Sequence, residues 1–489
     1  GVGFPANVTV TYRAAPGLPC VGLIEFTDND GNRYFMGCDT LRLFQWQTNH
    51  WVDVSGADEF TGTEDDIFWM QPFENLLVLT NDVDPPKKYV PAGGLGTISD
   101  IDTDFDGDTV NDIEKAKIVL NHKGRLLYMN VQEKGVRYSH RVRRTQPNGP
   151  ESFYDDLDYS DAPTGEAILS AGIVDDTVVC LCENNQTFVH RYRGDPKFLY
   201  DWVRISTEHG SAGIHSTVEV EGGLVVLSEF SIQTCDGRQL LPIDKSIPTW
   251  VRDFMDRTKL KNAVGVRYYE FDQVWMSLFK TGADQKSVLV IDLEKGAFSE
   301  YEFPYWVYGT ARSDTLSTVV WDSLPMLPWD DPAFDIPWDA YAAGGESTVR
   351  SLFAGSRTGH VYLISRVLSD DDGNPIALEG VTQRLNPFTE QGMDASLGWV
   401  DFQLSRADGE VVTIKLYQNF QESEYLSVDV DLTGSGSART VRRRVPSNTV
   451  AQFHSVSFHT MAPGFYVDSV ELHCAPARAM QQTEVPVAV

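Results

Sequence analysis

Aspartates crowd the stretch DTDFDGDTVND, which runs from Asp102 to Asp112 around a single glycine. Carboxylates at alternate positions of a glycine-containing loop are typical of a twelve-residue calcium loop, whose last position must be a bidentate acid. A frame that starts at Asp102 ends on Ile113, and one that starts at Asp104 ends on Lys115. Because neither frame is complete, we interpret the stretch as a solvated loop. The alternative is a calcium site, with Asp102, Asp104, Asp106 and Asp108 as its candidate ligands.

Other catalytic or cofactor patterns are missing from the sequence. It contains no GxxxxGK[ST] phosphate loop, no GxSxG nucleophile elbow, no HExxH helix and no GxGxxG dinucleotide turn. His454 and His459 lie on a strand-like run and would point to opposite faces, which does not suit a zinc pair. The cysteines lack metal-ligand spacing, and we interpret Cys180 and Cys182 as small buried hydrophobes. We therefore expect neither enzymatic activity nor a cofactor, apart from the calcium alternative.

The formal net charge of −30 argues against a groove that grips nucleic acid, because such a groove needs clustered Lys and Arg to replace counterions. DNA that passes without being bound is compatible with this charge. The sequence contains no run of about 18 apolar residues, so it predicts no membrane-spanning helix. The start, GVGFPANVTVTY, has neither the basic end nor the apolar stretch of a secretion signal, and it does not begin with Met, which leaves room for residues upstream.

The clearest long-range signal is a repeated unit of an apolar strand, a polar turn and a second strand. Its copies begin at Val21, Asn75, Gly124, Asp176, Gly222, Asp272 and Val349. Successive starts differ by 54, 49, 52, 46, 50 and 77 residues. A period of about 40 to 50 residues predicts the four-stranded blades of a β-propeller, which bury their faces only against one another. The visible units set a minimum: two of them could share a sheet, or a strand from one end of the chain could close the ring.

The longest gap, before the last unit, contains the smaller repeat WDSLPMLPWDDPAFDIPWDAY. Its Trp-Asp pairs begin at Trp321, Trp329 and Trp338, and prolines recur between them. Frequent proline excludes a helix or a central strand. We expect an extended strap over 321–341 that packs on its own propeller. The alternative is a clamp in which these tryptophans face a partner.

From about Gln383 the pattern changes to long runs of alternating apolar and polar residues, such as LGWVDFQLS and EYLSVDVDLTG. These runs predict a separate antiparallel sandwich of ~100 residues. The basic run Arg442, Arg443, Arg444 stands out within it. An exposed strand edge guarded against aggregation is the simpler interpretation, and docking on an acidic partner is the alternative.

Together these patterns predict an all-β fold class: a β-propeller with an appended C-terminal antiparallel β-sandwich. We expect N-terminal strands in 1–60, either as a first blade or as a docking segment. The propeller with its strap is expected in 61–380, the sandwich in 381–480 and a tail in 481–489.

The order of these motifs resembles the propeller-type tail proteins of tailed bacteriophages, a family of tail nozzle proteins and DNA-stabilisation or tail-accessory proteins. NLLVLTNDVDPPKKY is similar to the family's apolar strand followed by an Asn-Gly-Val-Asp-Lys-Pro-like turn. AKIVLNHKGRLLYMN with RYSHRVRRTQPNGPESF is similar to its next blade, and the likeness continues through HRYRGDP, the strap and the sandwich, over most of 60–475. Two features differ: Asn81-Asp82 replaces Asn-Gly, and the loop at Asp102 is longer.

The resemblance implies a virion structural protein that is made in the host cytoplasm and forms a ring of six copies in the phage tail, enclosing the DNA path. The implied partners are other copies of the chain, adaptor or portal-side proteins, and tail fibres or tip proteins. DNA would pass without specific binding because an acidic lumen repels phosphates. Solubility alone would also explain an acidic surface.

The alternative function is that of a monomeric glycan-binding or glycoside-hydrolysing β-propeller. The 70 acidic residues leave paired carboxylates open as a hydrolytic site. The SxDxGxTW box of sialidase-like propellers is missing from the sequence, which favours the structural role.

Overall fold

The computed structural model describes two compact units, one formed by residues up to 364 and the other by residues from 370. The described residues are 10–11, 18–47, 50–56, 59–92, 95–107, 110–153, 158–183, 185–195, 199–247, 251, 255–312, 350–364, 370–371, 374–375, 377–434, 439–462 and 465–479. The second unit therefore begins before the expected boundary at residue 381.

The first unit is a series of four-stranded antiparallel sheets, which we call blades 1 to 7. The chain starts with β1 (Val10–Thr11). Blade 1 contains β2 (Cys20–Thr27), β3 (Arg33–Asp39), β4 (Leu43–Gln47) and β5 (His50–Asp53). Blade 2 contains β6 (Trp69–Phe73), β7 (Leu76–Thr80), β8 (Lys87–Val90) and β9 (Thr97–Asp100). Blade 3 contains β10 (Ile113–His122), β11 (Arg125–Glu133), β12 (Val136–Arg144) and β13 (Tyr159–Asp161).

The next three blades follow the same order of consecutive strands. Blade 4 contains β14 (Ile168–Val174), β15 (Thr177–Cys182), β16 (Thr187–Tyr192) and β17 (Tyr200–Ser206). Blade 5 contains β18 (Thr217–Val220), β19 (Gly223–Leu227), β20 (Ile232–Cys235) and β21 (Leu240–Pro242). Blade 6 contains β22 (Val264–Tyr268), β23 (Gln273–Phe279), β24 (Lys286–Asp292) and β25 (Ala297–Tyr301).

Blade 7 is completed by the N-terminal strand. It contains β26 (Tyr305–Arg312), β27 (Arg350–Ser356) and β28 (His360–Ile364), and β1 pairs with the last of these. Val10 lies opposite Val361, and Thr11 opposite His360. The first strand of each blade contacts the first strand of the next, and β26 contacts β2. The ring is therefore closed, by one of the two routes that the repeat pattern left open.

Local sequence explains the regular blades. The second strands β7, β11, β15, β19 and β23 are almost continuously apolar and buried, as expected for strands that are covered on both faces. Tight hairpins join several strands. Lys123 and Gly124 have φ of 56° and 68°, and Lys134 and Gly135 have φ of 49° and 79°, which is the pattern of two-residue type I′ turns.

Apolar side chains pack the blades against one another. Phe35 of blade 1 and Phe353 of blade 7 have ring centroids 4.9 Å apart, so the first and last blades share a core as well as a strand. Cys180 and Cys182 are fully buried in the cluster between blades 3 and 4. Burial raises the pKa of Cys182 to about 12, which makes this thiol unreactive.

The second unit contains two antiparallel sheets that enclose one apolar core. Its strands are β29 (Asp370–Asp371), β30 (Asn374–Pro375), β31 (Leu378–Val381), β32 (Met393–Ser405), β33 (Val411–Gln418), β34 (Leu426–Asp431), β35 (Thr440–Ala451), β36 (His454–Thr460) and β37 (Val467–Ala479). One sheet has the order β31-β36-β33-β34 and the other β35-β32-β37, while β29 and β30 pair with each other. The predicted all-β architecture, a propeller followed by an antiparallel sandwich, is confirmed.

Among the described residues, helical structure is limited to short 3-10 turns and to Val251, whose N–H donates to the carbonyl oxygen of Ile247 at 3.1 Å. Turns of 3-10 helix span Asp244–Ser246, Arg257–Asn262 and Thr389–Gln391. Within the described ranges, no helix is long and apolar enough to cross a membrane.

Candidate functional site

Residues 61–66, which we call the mouth segment, join blade 1 to blade 2. They form hydrogen bonds with residues near or within blades 6 and 7. Asn262, just before blade 6, donates from Nδ2 to Asp65 Oδ1 at 2.6 Å. Trp306 of blade 7 donates from Nε1 to the carbonyl oxygen of Glu64 at 2.7 Å. Arg357, in the turn between β27 and β28, donates from Nε to Glu64 Oε2 at 2.6 Å. The mouth segment is therefore tied to the start of blade 6 and to blade 7, which are distant from it in the sequence.

A groove of about 150 Å³ lies beside the mouth segment. Asp65 and Asp66 line it together with Lys117 of blade 3, Leu169 of blade 4 and Ile214, which precedes blade 5. Residues from one side of the ring to the other thus converge on this segment. Convergence of this kind occurs where the first strands of the blades surround the propeller axis, so the mouth segment covers one end of that axis.

Opposite charges at the mouth neutralise one another. Lys261 Nζ lies 3.6 Å from Asp65 Oδ2. Asp82 receives Arg137 Nη1 at 2.6 Å on one oxygen and faces Lys117 Nζ at 3.8 Å with the other. Each of these carboxylates therefore has a cationic partner. The groove is also smaller than the roughly 300 Å³ of the smallest typical ligand sites.

A buried lysine, Lys286, contacts Trp306, which in turn bonds to the mouth segment. Lys286, at the start of β24, is 3% exposed, donates to the carbonyl oxygen of Trp306 at 3.0 Å and lies 4.1 Å from the Trp306 ring centroid. Burial lowers the pKa of Lys286 from 10.5 to about 7, although the charges of Asp65 and Glu64 oppose this shift. Trp306 thus connects a buried amine to the mouth segment.

The acidic loop lies between blades 2 and 3, as the repeat pattern indicated, and its carboxylates are engaged by the chain itself. Asp104 Oδ1 accepts hydrogen bonds from the backbone N–H of Asp106 at 3.1 Å and of Gly107 at 2.6 Å. The carboxylates of Asp104, Asp106 and Asp112 approach within 4.8 Å of one another. The ammonium of Lys134 contacts Asp106 and lies 3.1 Å from Asp112 Oδ1.

The Lys134 ammonium therefore occupies the position beside these carboxylates at which the sequence left a calcium ion open. Its hydrogen bonds to Asp106 and then Asp112 raise its pKa, so it is charged at neutral pH. Of the four candidate ligands, the structure brings Asp104 and Asp106 together with Asp112. Asp102 instead accepts a hydrogen bond from the backbone of Asp104 at 3.0 Å. Asp108 lies outside the described residues.

The arginine run is divided between two faces of edge strand β35. Arg442 and Arg444 point outward and contact Asp401 of β32, with shortest distances of 2.9 and 2.7 Å. Arg443 donates instead to the backbone carbonyl oxygens of Asp431 and Thr433, at 2.8 and 2.6 Å. Only two of the three arginines therefore share a surface. The other partner-facing candidates, Trp321, Trp329 and Trp338, lie outside the described residues, as does the whole strap.

The sequence did not indicate the residues that form the main contacts at the mouth segment and at the arginine run. Glu64 and Asp65 stand in an ordinary acidic segment, and their partners are 197 to 293 positions away. Asp401 lies 41 positions from Arg442. The one available signal was its position as a lone carboxylate within the apolar run LGWVDFQLS, because a charge in a half-buried strand needs a partner.

The sequence matches no protein-family model and no curated protein. Similar solved structures include BBS1N in complex with ARL6DN, which is 11% identical, has a TM-score of 0.39 and matches over 73% of this chain and 96% of its own. Another is the exo-β-1,3-galactanase from Phanerochaete chrysosporium, which is 10% identical, has a TM-score of 0.30 and matches over 93% of this chain and 99% of its own. At this level, the likeness gives the chain neither an activity nor a ligand.

Proposed function

We propose that the protein is a structural component of a bacteriophage tail, a nozzle or hub subunit that forms a ring of six copies and encloses the DNA path. In this role it has no enzymatic activity. It anchors adaptor or portal-side proteins on one side and tail fibres or tip proteins on the other. It resides in the virion after synthesis in the host cytoplasm.

The order of the family-like motifs carries this proposal. NLLVLTNDVDPPKKY covers the second and third strands of blade 2, and AKIVLNHKGRLLYMN covers the first two strands of blade 3. HRYRGDP begins at the end of the third strand of blade 4. Each motif thus falls at a definite strand of a definite blade, which is consistent with the proposal.

Charge and the closed axis are consistent with a path for DNA between copies. The mouth segment covers one end of the propeller's own axis, so the path would run through the centre of the ring. A lumen built from copies that each carry −30 repels phosphates, because it offers few cations to replace the counterions of DNA. DNA would then slide past without being held.

The proposal is tested on the purified protein by light scattering and negative-stain electron microscopy. Rings of uniform mass, together with no shift of duplex DNA in low-salt gels, are the expected results. A monomer at all concentrations that binds glycans or hydrolyses glycosides would favour the alternative function. The paired charges at the mouth give that alternative no specific support.

A further inference from the structure

The outer face of the sheet β35-β32-β37 presents a compact group of charged and aromatic side chains. Trp399 and Asp401 come from β32, Arg442 and Arg444 from β35, and His473 from β37. Alternation along each strand explains the grouping, since side chains two positions apart share a face. The adjacent residues Val400, Val445 and Leu472 face the other way and pack in or against the core of the sandwich.

Asp401 holds both arginines in place. Although its side chain is only 3% exposed, it receives Arg444 Nε at 2.7 Å and Arg444 Nη2 at 2.8 Å on its two oxygens. Arg442 Nη2 lies 2.9 Å from Oδ2. The hydrogen bonds from Arg444 and then Arg442 lower the pKa of Asp401, so the carboxylate stays charged. A buried anion thus fixes two cations that would otherwise be mobile.

The arginines remain open to a partner above this anion. Their side chains are 61% and 57% exposed. Neither Arg442 Nη1 nor Arg444 Nη1 makes a hydrogen bond within the part of the chain that the structure describes. Trp399 is 37% exposed and lies between the Arg444 guanidinium, 4.8 Å from its ring centroid, and the His473 ring at 4.7 Å. These two contacts restrain the indole.

We propose that this Arg–Trp face is a contact between copies, on which an acidic surface of the neighbouring subunit's propeller docks. The inference rests on the proposed ring. Tryptophan and arginine are the residues that most often dominate interface energies, and rigid side chains lose less entropy on binding. Residues 1–365 contain 54 Asp and Glu against 31 Lys and Arg, a difference of 23 negative charges. A second copy therefore offers abundant carboxylates to the two open guanidinium groups.

The same face is poorly suited to nucleic acid. Asp401 and Glu471 lie on it beside the arginines, with Glu471 Oε2 3.4 Å from Arg442 Nη2. A DNA backbone carries a phosphate at every nucleotide, so it would pass close to these two carboxylates as well as to the guanidinium groups, whereas a folded acidic surface can place a polar residue opposite Glu471.

Arg442→Glu/Arg444→Glu tests the contact in the full chain. We expect the wild type to form rings that weaken as salt is raised, and the variant to assemble about tenfold or more weakly, measured by analytical ultracentrifugation. Arg204→Glu/Arg238→Glu is the matched control, because both residues are exposed on the propeller and the change in charge is identical. The control should assemble as the wild type does.

A second variant separates docking from folding. Asp401→Asn/Arg442→Gln/Arg444→Gln removes the buried anion together with its two arginine partners, so the buried position carries no uncompensated charge. A wild-type melting temperature with the same loss of assembly supports the contact. Wild-type rings that persist in both variants would overturn this inference and leave the proposed function standing. Rings that persist while incorporation into particles fails would also overturn it, in favour of another acidic tail protein. A wild type that never forms rings would overturn both.

Discussion

Glu64 and Arg357 stand 293 positions apart in the sequence and form a two-point ion pair at the mouth of the propeller. Arg357 Nε donates to Glu64 Oε2 at 2.6 Å, and Arg357 Nη2 contacts the other carboxylate oxygen. The pair ties the connection between blades 1 and 2 to blade 7.

Glu64→Gln should loosen the mouth segment without unfolding the propeller. Ion pairs with this much exposure contribute at most about 1 kcal/mol to the free energy of unfolding. Local opening of the mouth segment should increase by up to about fivefold. Hydrogen exchange of the peptide that covers 61–66 measures this opening.

Arg191→Gln provides the control for that experiment. Arg191 and Asp201 form an ion pair of similar exposure in blade 4, remote from the mouth. Exchange in 61–66 should not respond to it. Equal effects of the two variants would show that the mouth segment is not held by Glu64.

Lys286→Met should change how stability depends on pH. The folded pKa of about 7 is below the ordinary 10.5, so between these values the unfolded chain binds the proton more strongly and the free energy of unfolding rises with pH. Burial of the charged amine lowers the free energy of unfolding by about 1.4 kcal/mol for each unit by which the pKa is lowered. This loss is fully present below pH 7 and vanishes above pH 10.5. The variant does not have this loss, so its stability relative to the wild type should fall as pH rises.

Urea unfolding of Lys286→Met and the wild type between pH 7 and 10.5 measures that difference. Lys295→Met, which replaces a lysine whose side chain is 73% exposed, is the control and should keep a constant difference from the wild type. A constant difference for Lys286→Met as well would refute the shifted pKa.

His190→Phe should stabilise the propeller. The imidazole is fully buried between the rings of Tyr200 and Trp202, at 4.4 and 4.2 Å, and neither ring nitrogen has a hydrogen-bond partner among the described residues. Phenylalanine keeps the stacking and removes two unsatisfied polar atoms, which should add roughly 1–3 kcal/mol to the free energy of unfolding.

The advantage of His190→Phe should also grow in acid. Burial lowers the pKa of His190 from 6.5 to about 3, so between these values the unfolded chain takes up the proton and the wild type loses stability as pH falls. Thermal melts from pH 7 to 4 measure the effect, with the exposed His459→Phe as control. If the difference in melting temperature between His190→Phe and the wild type stays the same or narrows below pH 6.5, the imidazole is not buried in its neutral form.

Millimolar calcium should leave the melting temperature of the wild type unchanged, because the Lys134 ammonium already neutralises Asp106 and Asp112. Lys134→Gln removes this cation and leaves three carboxylates within 4.8 Å, so calcium should raise its melting temperature. Differential scanning fluorimetry with and without chelator measures both. A calcium-dependent shift in the wild type would instead favour the metal site.

The propeller could be predicted from the sequence because each blade repeats a local pattern. A buried second strand appears in the sequence as an apolar run such as LLVLT or TVVCLC, and a polar turn follows it. The repeat of about 50 residues is therefore visible even though the individual side chains differ between blades. The sequence left closure by a terminal strand as one of two possibilities and could not identify β1 as that strand. That strand spans only Val10–Thr11, and its partner lies some 350 positions later, beyond the range of any local pattern.

The candidate sites were less accessible for the same reason. The acidic loop was visible as a motif, yet its cation comes from Lys134 in the turn after β11. The arginine run was visible as a charge cluster, yet strand alternation and the buried Asp401 decide that only Arg442 and Arg444 face outward together. Composition locates such groups, and long-range pairing determines what they do.

Electron microscopy of phage particles assembled with and without this protein tests the central claim most directly. We expect particles that contain it to carry a complete tail, and particles that lack it to lose the tail tip while the capsid and portal remain. Particles that are unaltered in its absence would contradict a structural role in the tail.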